Sequence, residues 1–142
     1  MRPVIQRRRL TVAVVLLTLS GFGMRLSGIF PETPGDPTAV AGIIHWVGGF
    51  LLGFLSAIAA FFVVGRQLRK HPRWRRYGWY SSLTAWGALA LIPLQFLLLS
   101  PDSPLSAADI GGLLERAFAV VVFAWYAVLG WRLFTIGAAP RN

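Results

Sequence analysis

The sequence predicts an all-α protein: an integral membrane four-helix bundle with both termini on the cytoplasmic side (N-in/C-in). Three observations lead there. Hydrophobic residues make up 56% of the 142 and charged residues only 13%, with a mean hydropathy of +0.62, whereas a soluble domain carries about 25% charged residues to wet its surface. Four apolar stretches are each long enough to cross hydrocarbon. The basic residues gather in alternate breaks between those stretches. A chain of this length makes one domain, here a single membrane domain over residues 1–142.

A helix rises about 1.5 Å per residue, so a hydrocarbon core of about 30 Å takes about 20 mostly apolar residues. Residues 10–30, 40–65, 79–99 and 110–136 meet that requirement. The first has an Arg-rich start and about 15 apolar residues, the outline of a secretory signal. No A-x-A site follows, and removal would leave three spans and unbalance the charge, so it is read as a retained helix. "PETPGDP" then places three prolines and a glycine in seven residues, which excludes a helix interior.

On the second span Gly49 and Gly53 form G-x-x-x-G, and Ser56, Ala57 and Ala60 extend a stripe of small residues. Such a stripe lets another helix approach closely. Packing within the chain is the first reading; a homodimer or a membrane-protein partner through Gly49/Gly53 is the second. Residues 66–78, "RQLRKHPRWRRYG", read as a basic loop. Pro93 is expected to kink the third span. "SPDSPLSAAD" closes that span and opens the fourth, where Ser106 and Asp109 fit a capping box. Trp46, Trp74, Trp79 and Trp131 fall near the expected interfaces, where indoles anchor helices.

Orientation follows from the charges. Arg2, Arg7, Arg8 and Arg9 precede the first span, six basic residues fill 66–78, and Arg132 and Arg141 lie at the C-terminal end. The two other connections hold no Lys or Arg but contain Glu32, Asp36 and Asp102. Lys and Arg remain on the cytoplasmic side of an inserting helix. An even number of spans puts both termini there. The net charge of +9 is thereby explained by membrane edges, and nucleic acid is not an expected partner; membrane lipids are.

Within the spans five strongly polar residues stand out: Arg25, His45, Gln95, Glu115 and Arg116. Counting from the span ends at 1.5 Å per residue places all five in the outer third of the membrane, where a bundle would gather them into a chamber below the two acidic connections. A charge placed in hydrocarbon costs about 2.5–3.5 kcal/mol on insertion scales, so each needs a partner. Glu115 and Arg116 are adjacent and diverge by about 100°. The expected pairings are therefore Arg25 with Glu115, and Arg116 with His45, Gln95 or a loop carboxylate. The cluster either fixes helix register or binds an anion through Arg25 or Arg116, with His45 as ligand or proton carrier.

Several chemistries lack their parts. There is no cysteine, hence neither a disulfide nor a thiolate metal site. His45 and His71 fall on opposite sides and cannot form a transmembrane haem pair. No H-x-x-H or H-E-x-x-H pattern offers a metal site. Asp109 and Glu115 could move protons, but no nucleophile is marked. No cofactor is expected, and no catalytic residue is assigned.

Four stretches together resemble the carboxy-terminal four helices of a bacterial membrane protein family, domain of unknown function 998. "GIFPETPGDP" is similar to its Phe-Pro turn, placing Phe30, Pro31 and Pro37. "IIHWVGGFLLGFLSAIAAFFVVGRQL" resembles its histidine-bearing helix, matching His45 and Gly49. "RKHPRWRRYGWYS" resembles its basic loop. "GGLLERAFAVVVFAWYAVLGWRL" is similar to its last helix, with Glu115 and Arg116 in place of a Gln/Glu–Arg pair. Family members usually carry two further helices in front. An acidic residue commonly follows the family histidine; here Trp46 stands in that place. The resemblance implies a membrane topology and directs attention to His45 and Arg116. It implies no activity.

The leading functional reading is a small membrane protein that binds a lipid headgroup or small anion at an outward-facing polar cluster. The alternatives are a small transporter or membrane enzyme using His45, Glu115 and Arg116, and a purely structural membrane subunit.

Overall fold

The computed structural model describes residues 7–31, 39–98 and 111–137. Among these the only regular elements are helices. We number the long ones α1 (Arg7–Ile29), α2 (Val40–Leu68), α3 (Arg75–Leu98) and α4 (Gly111–Gly137); one 3-10 turn, Pro72–Trp74, leads into α3. All four are long and apolar enough to cross a membrane. The protein is therefore an all-α, multi-pass membrane protein. Its exposed surface has the composition that lipid demands: Trp131, Phe134, Phe123, Leu97, Trp86, Leu83 and Ile29 are all exposed.

The helix ends differ in one informative way from the apolar stretches. α2 continues through Leu68 and α3 begins at Arg75, so Arg66, Gln67, Arg75 and Arg76 of the segment read as a loop are helical. The reversal is very short. The amides of Arg69, Lys70, His71 and Trp74 bond to the carbonyls of Gly65, Gln67, Leu68 and His71 at 2.9–3.1 Å, and Trp74 is buried there, edge-on to Tyr77. Charged side chains can occupy helix ends because their long stems carry the heads out to water. The Ser106/Asp109 capping box and the "PETPGDP" turn beyond Pro31 lie outside the described residues. Pro93 sits inside α3.

The chain divides into two compact units, residues 1–82 and 83–142, and each is described by itself. In the first, Ala13, Ser20 and Gly23 of α1 are buried, as are Ala57, Ile58, Ala60, Phe61, Val64 and Leu68 of α2. In the second, Ala85 and Ala88 of α3 and Phe118, Trp125 and Leu129 of α4 are buried. The first unit relies on small residues. Lipid tails are as apolar as leucine, so helices in a membrane are held by close backbone packing rather than by escape from water.

The closest approach is built from three glycines. A Cβ on Gly23 would fall against the Gly48 carbonyl oxygen and within 2.5 Å of the Gly53 amide nitrogen. One on Gly48 would lie 2.9 Å from the Leu26 Cβ, and one on Gly53 2.8 Å from the Met24 Sδ. The sequence pattern pointed instead to Gly49 and Gly53, four apart. The reason for the shift is that α2 is π-helical from Val47 to Leu55, between α-helical segments Val40–Trp46 and Ser56–Leu68. A π-turn bonds i to i+5, so residues five apart stack, and Gly48 and Gly53 share the face that meets Gly23. Gly49 turns toward the Ser27 side chain, where an added Cβ would be 2.9 Å from Oγ.

Candidate functional site

The five polar residues fall in different units. Arg25 (α1) and His45 (α2) belong to the first; Gln95 (α3), Glu115 and Arg116 (α4) belong to the second. Within the first unit His45 has a defined task. α1 ends at Ile29, and the last carbonyls of a helix have no partner within it. Phe30 N–H bonds the Leu26 carbonyl at 3.0 Å. The next carbonyls are met by the His45 ring, whose Nδ1 lies 2.9 Å from Ser27 O and 3.0 Å from Phe30 O.

Those two acceptors decide the tautomer. A carbonyl oxygen only accepts, so Nδ1 carries the hydrogen and donates to both. The Ser27 hydroxyl packs against the same ring, 3.1 Å from Nδ1 and 3.3 Å from Nε2. A histidine one and a half turns into α2 thus closes the C-terminal end of α1. The position is also electrostatically apt, since a helix C-terminus carries a partial negative charge that favours a donor or cation. Ser27, with no mark in the sequence beyond its spacing from Gly23, is the partner that sequence reasoning missed.

Arg25 lies one turn before the end of α1 and its side chain is exposed; Arg116 is exposed and Gln95 is half-buried. The Glu115 side chain lies outside the described residues, and with it the Arg25–Glu115 pairing. Within the first unit the His45 ring meets the end of α1. All five acidic residues, Glu32, Asp36, Asp102, Asp109 and Glu115, fall where no side chain is described. Among the described residues there is no cluster of three or more metal-ligating side chains.

The opposite end of the first unit is more strongly charged. A cavity of about 380 Å³ is lined by Arg9 of α1, Arg66 and Gln67 at the end of α2, Arg69 and Lys70 in the reversal, and Arg75 and Trp79 of α3. The sequence marked these basic residues as a membrane-edge signal; it gave no sign that they enclose a space.

Comparison with curated proteins and with solved structures yields no match. The family model described as "Protein of unknown function (DUF998)" matches residues 1–132. With the histidine-bearing helix and most of the last helix inside the matched region, the chain belongs to this family of proteins of unknown function.

Proposed function

We propose that this is a non-catalytic accessory protein of a bacterial plasma membrane, with both termini cytoplasmic, that binds an anionic lipid headgroup or small anion at the outer ends of its helices. Arg25 and Arg116 supply the charge, Gln95 and Glu115 are further contacts, and His45 braces the end of α1. The observation that carries this reading is the division of labour at that end. The His45 ring is engaged by the Ser27 and Phe30 carbonyls, whereas the side chain of Arg25, one turn away, is exposed. An arginine so near a helix end can extend to the interface, where its forked donors suit a phosphate.

Native mass spectrometry of the detergent-solubilised protein tests this. Wild type should retain anionic phospholipid; Arg25→Gln and Arg116→Gln should each reduce retention, and His45→Gln should reduce stability without reducing retention in proportion. Equal retention by all four proteins would overturn the reading. Solute flux into liposomes that changes with Glu115→Gln would favour a small transporter in its place.

A further inference from the structure

Gln67 is 2% exposed, and its amide nitrogen Nε2 is buried with no hydrogen-bond partner. It lines the cavity among Arg9, Arg66, Arg69, Lys70 and Arg75. A buried amide without a partner costs about 1–3 kcal/mol, and five cations around one space repel each other. Both penalties are removed by one kind of occupant: an oxyanion whose oxygens accept from the amide and the guanidinium groups together. We propose that this cavity is a phosphate-binding site, distinct from the Arg25 end of α1 and about 24 Å along the helix from it.

The walls are arranged for such a ligand. Arg69 is held in place: its guanidinium carbon sits 4.8 Å above the centre of the Trp79 ring, a cation–π contact that fixes the side chain while leaving its N–H edge free. The backbone under it is fixed as well. A Cβ on Gly78 would lie 2.5 Å from the Arg69 amide nitrogen and 2.6 Å from its Cγ, so α3 abuts the reversal directly only because residue 78 has no side chain. Gln67 then provides a neutral donor at the buried side, with cations elsewhere around the space. Guanidinium groups bond phosphate through two parallel N–H donors, and a neutral amide donor beside them adds a directional contact that charge alone does not supply.

The chemistry recognised is a phosphate group, which a lipid headgroup and a free phosphate both present. Half-exposed Trp79 gives the cavity an apolar rim, and the chain spans a membrane, so the lipid source is the expected one.

The test is a binding titration of the full-length protein. Inorganic phosphate is added to protein in neutral detergent, and in a second arm phosphatidic acid or phosphatidylglycerol is titrated into nanodiscs of zwitterionic lipid. Four proteins are compared: wild type, Gln67→Leu, Arg66→Gln, and Arg73→Gln as a control whose exposed guanidinium is on the same segment but outside the cavity. Gln67→Leu is expected to melt at or above the wild-type temperature without ligand, because an unpaired amide is removed. It should weaken binding about tenfold or more, the scale of a lost hydrogen bond to a charged group. Arg66→Gln should weaken it similarly and Arg73→Gln by less than about twofold.

Binding in the nanodisc arm alone identifies a lipid; binding in both arms identifies the phosphate group itself. Loss of affinity in Arg73→Gln as great as in Arg66→Gln would reduce the site to general surface electrostatics and overturn the proposal. So would an undiminished affinity in Gln67→Leu, or no binding in either arm. None of these outcomes depends on lipid retention at Arg25 and Arg116.

Discussion

The Nδ1 of His45 lies 2.9 Å from the carbonyl oxygen of Ser27, eighteen residues earlier in the chain. One ring nitrogen thereby joins the end of the first membrane helix to the beginning of the second. Removing that donor should matter more than removing the hydroxyl beside it. His45→Leu leaves the Ser27 and Phe30 carbonyls without their partner and should destabilise the protein by about 1–2 kcal/mol, read as a lower melting temperature in detergent. Ser27→Ala keeps both carbonyl bonds and should cost less than about 1 kcal/mol. Equal losses would mean that the hydroxyl, not the backbone, is what His45 holds.

The glycines of α1 separate by geometry. At Gly23 a methyl group would strike the backbone of α2, whereas at Gly21 and Gly28 nothing lies within 4 Å. Gly23→Ala should therefore push the two helices apart and destabilise by about 2 kcal/mol or more, in the range of overpacked cores. Gly21→Ala should be neutral or stabilising by up to about 1 kcal/mol, since alanine is the better helix former. A thermal melt of the two variants side by side decides it.

These two sites show what could be read from the sequence and what could not. Four spans were legible because length and hydropathy are local properties, and the family resemblance rested on motifs that stand in the chain as written. The glycine face was legible only in part: the pattern marked Gly49 and Gly53, but the π-helical turn moved the contact to Gly48 and Gly53. A backbone hydrogen-bond shift of one residue leaves no trace in the order of side chains. His45 stands out in the sequence, yet two of its partners are main-chain carbonyls, which every residue carries. The basic loop was legible as charge, but the cavity was not, because Arg9 comes to it from a different helix.

Ser82 offers a test of internal polarity. Its Oγ is buried without a hydrogen-bond partner, facing the place where a Cβ on Gly65 would come within 2.6 Å. Ser82→Ala removes an unsatisfied hydroxyl from a packed contact and should leave stability unchanged or raise it by about 1 kcal/mol. Gly65→Ala, which forces a methyl onto the same oxygen, should lower it. The two variants melting in the reverse order would contradict the packing of α2 on the start of α3.

Topology can be checked with unusual economy because the chain has no cysteine. Single substitutions Pro34→Cys and Arg73→Cys place one thiol in each of two connections that the charge pattern assigns to opposite sides. With cells intact, a membrane-impermeant maleimide should label Pro34→Cys and leave Arg73→Cys untouched until the membrane is opened. The physical reason is the retention of Lys and Arg on the cytoplasmic side during insertion: six basic residues lie between Arg66 and Arg76, whereas the 31–39 connection carries only acidic charge, which counts little in setting orientation. Labelling of Arg73→Cys from outside would invert the protein. The basic cavity would then face away from the cytoplasm and Arg25 toward it, so the lipids offered to each end would have to be exchanged.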